Sequence, residues 1–144
     1  MSLKFLNEFF MKIITLLAFT IVLGSVSYGQ NLIGYNDYEI RKFMKENKRD
    51  MNFEKVKNNK FIYLKYSDNS ESQTILFFLS PDSVCKNVRI ICDKGVKAEK
   101  VKEFNQIYKK NGDNKWIDRQ GRKDYLIEIK DEKWSTVITI EPGK

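Results

Sequence analysis

From Asp124 to Glu141 the chain alternates apolar and polar residues through two consecutive runs, Tyr125, Ile127, Ile129 and then Trp134, Ile138, Ile140. A period of two sends alternate side chains to opposite faces of a strand, so this stretch is restricted to a half-buried β-hairpin. A third strand near Lys115 to Asp118 brings Trp116 to the same meander. Taking Gln120 and Gly121 as a two-residue turn sets Trp116 opposite Tyr125. Taking Asp131 and Glu132 as another sets Ile129 opposite Trp134, Ile127 opposite Thr136 and Tyr125 opposite Ile138. Both turns predict one apolar side made of Trp116, Tyr125, Ile127, Ile129, Trp134, Ile138 and Ile140. The other side carries Leu126, Glu128, Lys130, Lys133, Ser135, Val137 and Thr139. Both tryptophans are thus expected in the core before they are considered as a pair that stacks on carbohydrate.

Upstream, Asn36 with Glu39 three residues on forms a reciprocal N-cap, and the helix it opens runs to about Asn47 with Ile40, Phe43 and Met44 on one side. Strands follow near Asn52 to Val56 and Lys60 to Tyr66, turned at Asn58 and Asn59, with a polar loop from Ser67 to Ser72. Thr74 to Leu79 is apolar on both faces, which predicts a central strand with a second covering that a partner can supply. Next comes a strand from Val84 to Cys92, with Val88, Ile90 and Cys92 facing one way and Cys85, Asn87 and Arg89 the other. A second helix is expected from Lys97 to Lys110, carrying Val101, Phe104 and Tyr108 on one face and closed by Asn111 and Gly112. At 144 residues, 42% of them hydrophobic, the chain supports one core. The fold class expected is α+β: an antiparallel meander with two helices packed on one face.

Residues 13–26 (IITLLAFTIVLGSV) follow Lys12 and precede the small residues Ser27 and Gly29. That is the layout of a removable export signal, and the run is shorter than the roughly 20 apolar residues of a membrane span. Cleavage is expected between Gly29 and Gln30, leaving residues 30–144 as one domain. Met11 with Lys12 already forms a complete start, so it competes with Met1 as the first residue. The net charge is +7, and +6 once residues 1–29 are removed. An exported basic domain meets acidic proteins and anionic polysaccharide, not nucleic acid. The expected location is therefore periplasmic or secreted, without a membrane span after processing.

Histidine is absent, which removes Ser-His-Asp and Cys-His catalysis and every His-containing zinc site. Cys85 and Cys92 lie roughly 20 Å apart along one strand at about 3.3 Å per residue, too far for an internal bridge. They are read as buried small hydrophobes, with an intermolecular disulfide as the alternative.

Some landmarks recur. Phe43 to Asn47 (FMKEN) parallels Ile107 to Asn111 (IYKKN), and Thr74 to Pro81 (TILFFLSP) parallels Thr136 to Pro142 (TVITIEP). The order, helix then three strands, is that of a tandem αβββ duplication or of two similar amphipathic units in one domain. The segment Gly34 to Met44 (GYNDYEIRKFM), with Tyr63, Phe77-Phe78 and Val88 to Ile90, resembles the helix-then-meander pattern of the SmpA/OmlA and beta-lactamase-inhibitor-like proteins. The later segment with Trp116, Gly121, Tyr125 and Ile138 resembles small exported bacterial proteins. These resemblances imply non-enzymatic binding in the envelope. The sequence departs from the pattern at Asn47-Lys48 and at Ser80-Pro81-Asp82-Ser83, where a glycine stop and an Asp-Gly turn are usual.

The carboxylate pairs Asp131/Glu132 and Glu99/Glu103 fall in a turn and on a lysine-rich helix face, contexts that favour solvated charge over acid–base chemistry. Asp68 to Glu71 lacks the downstream Gly and Glu of a calcium loop, and no motif implies a cofactor. The candidate binding cations are Arg119, Arg122 and Lys123 around Gly121, a set that equally suits an ordinary exposed hairpin. Tyr35 and Tyr38 flank the first helix start as candidate contacts. The function expected is a non-catalytic exported binding module whose partner is an envelope or extracellular protein or an anionic glycan. An inhibitor or immunity-type protein is the alternative, and a carboxylate-based hydrolase the weaker one.

Overall fold

The computed structural model describes residues 31–143, so the export segment and its cleavage site at Gly29 and Gln30 lie outside the described residues. Helix α1 (Asp37–Asn47) starts as its cap residues dictate: Asn36 Oδ1 accepts from the Glu39 amide at 3.0 Å and Glu39 Oε2 from the Asn36 amide at 2.8 Å. The chain then forms β1 (Asn52–Lys57), β2 (Ile62–Ser67), β3 (Gln73–Leu79) and β4 (Cys85–Asp93). Helix α2 (Lys97–Ile107) precedes β5 (Lys109–Lys110), β6 (Lys115–Gln120), β7 (Lys123–Asp131) and β8 (Ser135–Pro142). All eight strands join one antiparallel sheet in the order β1-β2-β3-β4-β8-β7-β6-β5, an α+β architecture.

Each half is therefore a helix followed by a four-stranded meander, not the three strands expected, and the halves meet where β4 pairs β8. The sequence echo sets β3 beside β8 as equivalents, whereas the topology makes β4 the counterpart of β8.

One sheet face carries a row of ladder partners: Leu64 opposite Phe77, Phe77 opposite Val88, Val88 opposite Ile140, Ile140 opposite Ile127, and Ile127 opposite Trp116. These side chains are buried, and Ile40 and Met44 of α1 and Phe104 of α2 belong to the same cluster. Trp116 is fully buried, with Phe104 edge-on at 5.4 Å and its indole N–H donating to Asn105 Oδ1 at 2.9 Å.

Several sequence expectations are corrected. The β6–β7 turn is Gly121-Arg122, because Gln120 pairs with Lys123, so Trp116 lies opposite Ile127 instead of Tyr125. The β7–β8 turn is wider than two residues: Asp131 pairs with Thr136, and the Glu132 amide donates to Ser135 O at 2.8 Å. Each correction shifts the pairing by an even number of residues, which preserves the face while changing the neighbours. Trp134 is the exception. The wider turn lifts it out of β8 to the hairpin tip, where it is 79% exposed with the Lys133 ammonium 5.0 Å from its ring centre.

The β1–β2 connection also spans four residues, since Lys57 pairs with Ile62 and Asn58 Oδ1 accepts from the Lys60 and Phe61 amides. Helix α2 stops at Ile107, because Lys109 and Lys110 pair with β6. Asn111 and Gly112 then belong to the turn between those strands. In β4 a bulge opposite Phe78 and Leu79 inserts one residue, so Cys85 faces the core, on the same side as Val88, rather than away from it. Cys85 and Cys92 are both free and buried, at opposite ends of β4.

Candidate functional site

The chain entering α1 is pinned to the start of β4. Gly34 donates to Cys85 O, Cys85 to Tyr35 O, both at 2.9 Å, and Asp37 to Ser83 O at 3.0 Å. From this anchor α1 crosses β1, where Lys55 and Arg41 both pair with the Asp37 carboxylate and the Arg41 guanidinium lies 5.8 Å from the Phe53 ring centre. Phe53 is also 5.1 Å from Tyr66, and burial pushes the Tyr66 hydroxyl up to about 12.

Between α1 and β1 lies a groove of about 980 Å³. Tyr38, Met44, Met51, Phe53 and Tyr66 supply its apolar wall, while Arg41, Lys42, Lys45, Lys48 and Arg49 supply five cations against one acid, Glu46. Tyr38 is 71% exposed and Phe53 45%, so the aromatic surface is open to a ligand. The groove combines an excess of cations with exposed aromatic surface. In that setting anionic groups are attracted by focused potential while flat apolar groups stack.

The cations expected around Gly121 divide between two places. Arg119 is engaged by Asp124 through two bonds, Nε to Oδ1 at 2.9 Å and Nη2 to Oδ2 at 3.2 Å, which holds the Asp124 carboxyl below its usual range. Arg122 and Lys123 instead line a smaller cleft of about 500 Å³ with Lys86, Ile33, Val84 and Gly143. This second basic cleft has less aromatic surface than the α1–β1 groove.

On the sheet face opposite the row from Leu64 to Trp116, the two halves differ. Its first half holds an apolar strip, with Val56, Tyr63 and Phe78 in one ladder row and Phe61 6.3 Å from Phe78 between ring centres, beside the paired Glu54 and Lys65. Its second half is a polar basin of about 510 Å³ holding Arg89, Lys115, Glu128, Lys130 and Glu141. Two carboxylates thus share a basin, but Lys130 at 2.8 Å and Lys115 at 3.3 Å bond Glu128 and draw its carboxyl below the ordinary range. A general acid requires the opposite shift.

Of the other carboxylates singled out by sequence, Asp131 pairs with Lys97 at 3.5 Å and accepts from Thr136 Oγ1 at 2.9 Å, and Glu103 pairs with Lys100 at 2.8 Å. Glu99 and Glu132 are exposed. Asp68 serves the β2–β3 turn, where bonds from Ser72 and Gln73 lower its carboxyl. Among the described residues no three His, Cys, Asp or Glu side chains form a metal-holding group, and no helix is long and apolar enough to cross a membrane.

Tyr38 is the one groove residue that the sequence marked as a candidate contact. Phe53 and the α1 cations were missed because alternation and helical periodicity describe them as ordinary surface; only the packing of α1 over β1 joins them. No family model matches this chain, and neither a curated protein nor a solved structure does.

Proposed function

We propose that this chain is a non-catalytic binding module of the bacterial envelope, exported to the periplasm or secreted, that captures acidic partners in the groove between α1 and β1. The observation that carries the reading is the groove itself: five cations and one acid set around an open aromatic wall. The apolar run at residues 13–26 supports export. Envelope or extracellular proteins with acidic segments and anionic glycans both offer the charge this surface lacks.

The test is the triple charge reversal K42E/K45E/R49E, which spares Arg41 and its contacts with Asp37 and Phe53. Retention of the purified protein on an anionic polysaccharide column, and recovery of partners from periplasmic extract, are lost in the variant if the groove binds. Retention equal to that of the parent protein contradicts the reading. Sequencing the amino terminus of the exported protein tests the export half, with Gln30 expected first.

An inhibitor-type role is favoured by one separate observation, the apolar strip Val56, Phe61, Tyr63 and Phe78 on the sheet face opposite the row from Leu64 to Trp116, where Phe61 is 54% exposed. Substituting Phe61→Ser leaves the fold intact and abolishes inhibition of a target enzyme if that face is the contact.

A further inference from the structure

The groove reaches β1 at Phe53, and β1 is the last strand at one edge of the sheet. Residues Asn52–Lys57 pair with β2 alone, and among the described residues they form no other backbone hydrogen bond. Among the described residues an outer row of N–H and C=O groups therefore has no backbone partner, a surface that templates another strand. The opposite edge, β5, has only two residues and offers no comparable length.

Side chains on β1 divide in the usual way. Phe53, Lys55 and Lys57 fall on the face that α1 covers, and Asn52, Glu54 and Val56 on the other. A charged edge alone is a common device against unwanted pairing, and Lys55 and Lys57 fit it. Phe53 does not: it is 45% exposed and sits at the groove floor.

We propose that the groove takes an extended acidic peptide segment, which joins the sheet as a strand beside β1 with its alternate carboxylates under the cations of α1. This rests on the groove being the binding site and goes further by naming the ligand class. A strand laid against β1 sends every second side chain to the Phe53 face, toward Arg41, Lys42, Lys45 and Arg49, while its backbone completes the ladder. An acidic glycan matches the charge and the aromatic surface but has no row of amide donors and acceptors for the strand edge. The peptide satisfies both features.

The experiment is titration calorimetry of the purified exported protein with four probes at low salt. One is a ten-residue peptide alternating Glu and Val; two are analogues of it N-methylated on one or the other alternate set of residues; the fourth is an oligogalacturonate of equal charge. Strand addition predicts that the peptide binds, that one N-methylated analogue loses at least tenfold in affinity while the other retains it, and that the oligogalacturonate is at least tenfold weaker. Hydrogen exchange at residues 52–57 slows when the peptide is bound. Equal binding of all four probes overturns strand addition while leaving an acidic-ligand groove in place. Binding by none of them overturns both.

Discussion

Ile90 of β4 lies directly opposite Ile138 of β8, and this antiparallel seam is where the two four-stranded meanders become one sheet. Ile138 is 2% exposed and also faces Ile129 of β7, so both halves pack against it. Truncation there leaves a cavity that neither half closes alone. Ile138→Ala is expected to lower stability by about 3 kcal/mol, read from the urea midpoint, with a single cooperative transition retained. Separate transitions for two halves would show that the seam does not join them energetically.

The two tryptophans report different things. Trp134, exposed beside Lys133, gives long-wavelength emission that iodide quenches, whereas Trp116, buried against Phe104, gives short-wavelength emission that iodide does not reach. Trp134→Phe is expected to remove the quenchable component and to change stability by less than about 0.5 kcal/mol. Trp116→Phe strands Asn105 without its indole donor and is expected to cost about 2 kcal/mol.

The cap of α1 sets the position of the groove wall. Asn36→Ala removes the oxygen that receives the Glu39 amide, with an expected loss of about 1 kcal/mol in thermal or urea unfolding. Asn36→Asp keeps that acceptor and is expected to restore most of the loss.

Burial raises several weak acids, the Cys85 and Cys92 thiols and the Tyr66 and Tyr108 phenols among them. Cys85 goes from 9.0 to about 12, and Tyr66 and Tyr108 each go from 10.0 to about 12. Their protonated forms are neutral, so the folded state holds these protons more tightly than the unfolded chain does. The stabilisation is complete below pH 9 and is lost as pH rises, first through the unfolded value of the thiol and then through those of the phenols, up to about 12. Urea midpoints are expected to be level from pH 7 to 8.5 and to fall between pH 9 and 12. Cys85→Ala reduces the earliest part of that fall, to which the Cys92 thiol, also raised by burial, contributes as well. Both thiols are expected to react with a disulfide reagent only after denaturant is added, because both cysteines are buried.

Much of this architecture is legible from local chemistry. Asn36 and Glu39 mark the start of α1, and the alternation of Tyr125, Ile127 and Ile129 marks the buried face of β7, because each signal depends on residues within a turn or a strand of one another. Turn length is not fixed so locally. The charged run Asp131-Glu132-Lys133 accommodates either a two-residue or a wider turn, and only the pairing of Asp131 with Thr136 excludes Trp134 from the strand. Likewise Asn111-Gly112 has the chemistry of a helix end, yet pairing of Lys109 and Lys110 with β6 stops α2 earlier. The bulge that turns Cys85 inward arises from the β3–β4 register, which no single strand encodes. The candidate site was legible in Tyr38 alone. Arg119, by contrast, looked available in the sequence and is engaged by Asp124 across the hairpin.

Whether acidic partners bind in the groove between α1 and β1 is decided by backbone and side-chain NMR during titration with the alternating Glu-Val peptide and, separately, oligogalacturonate. Whichever ligand binds is expected to shift resonances of Tyr38, Arg41, Lys45, Arg49 and Phe53. Shifts confined to Lys86, Arg122 and Lys123, or no shifts with either ligand, would rule the groove out as the binding site.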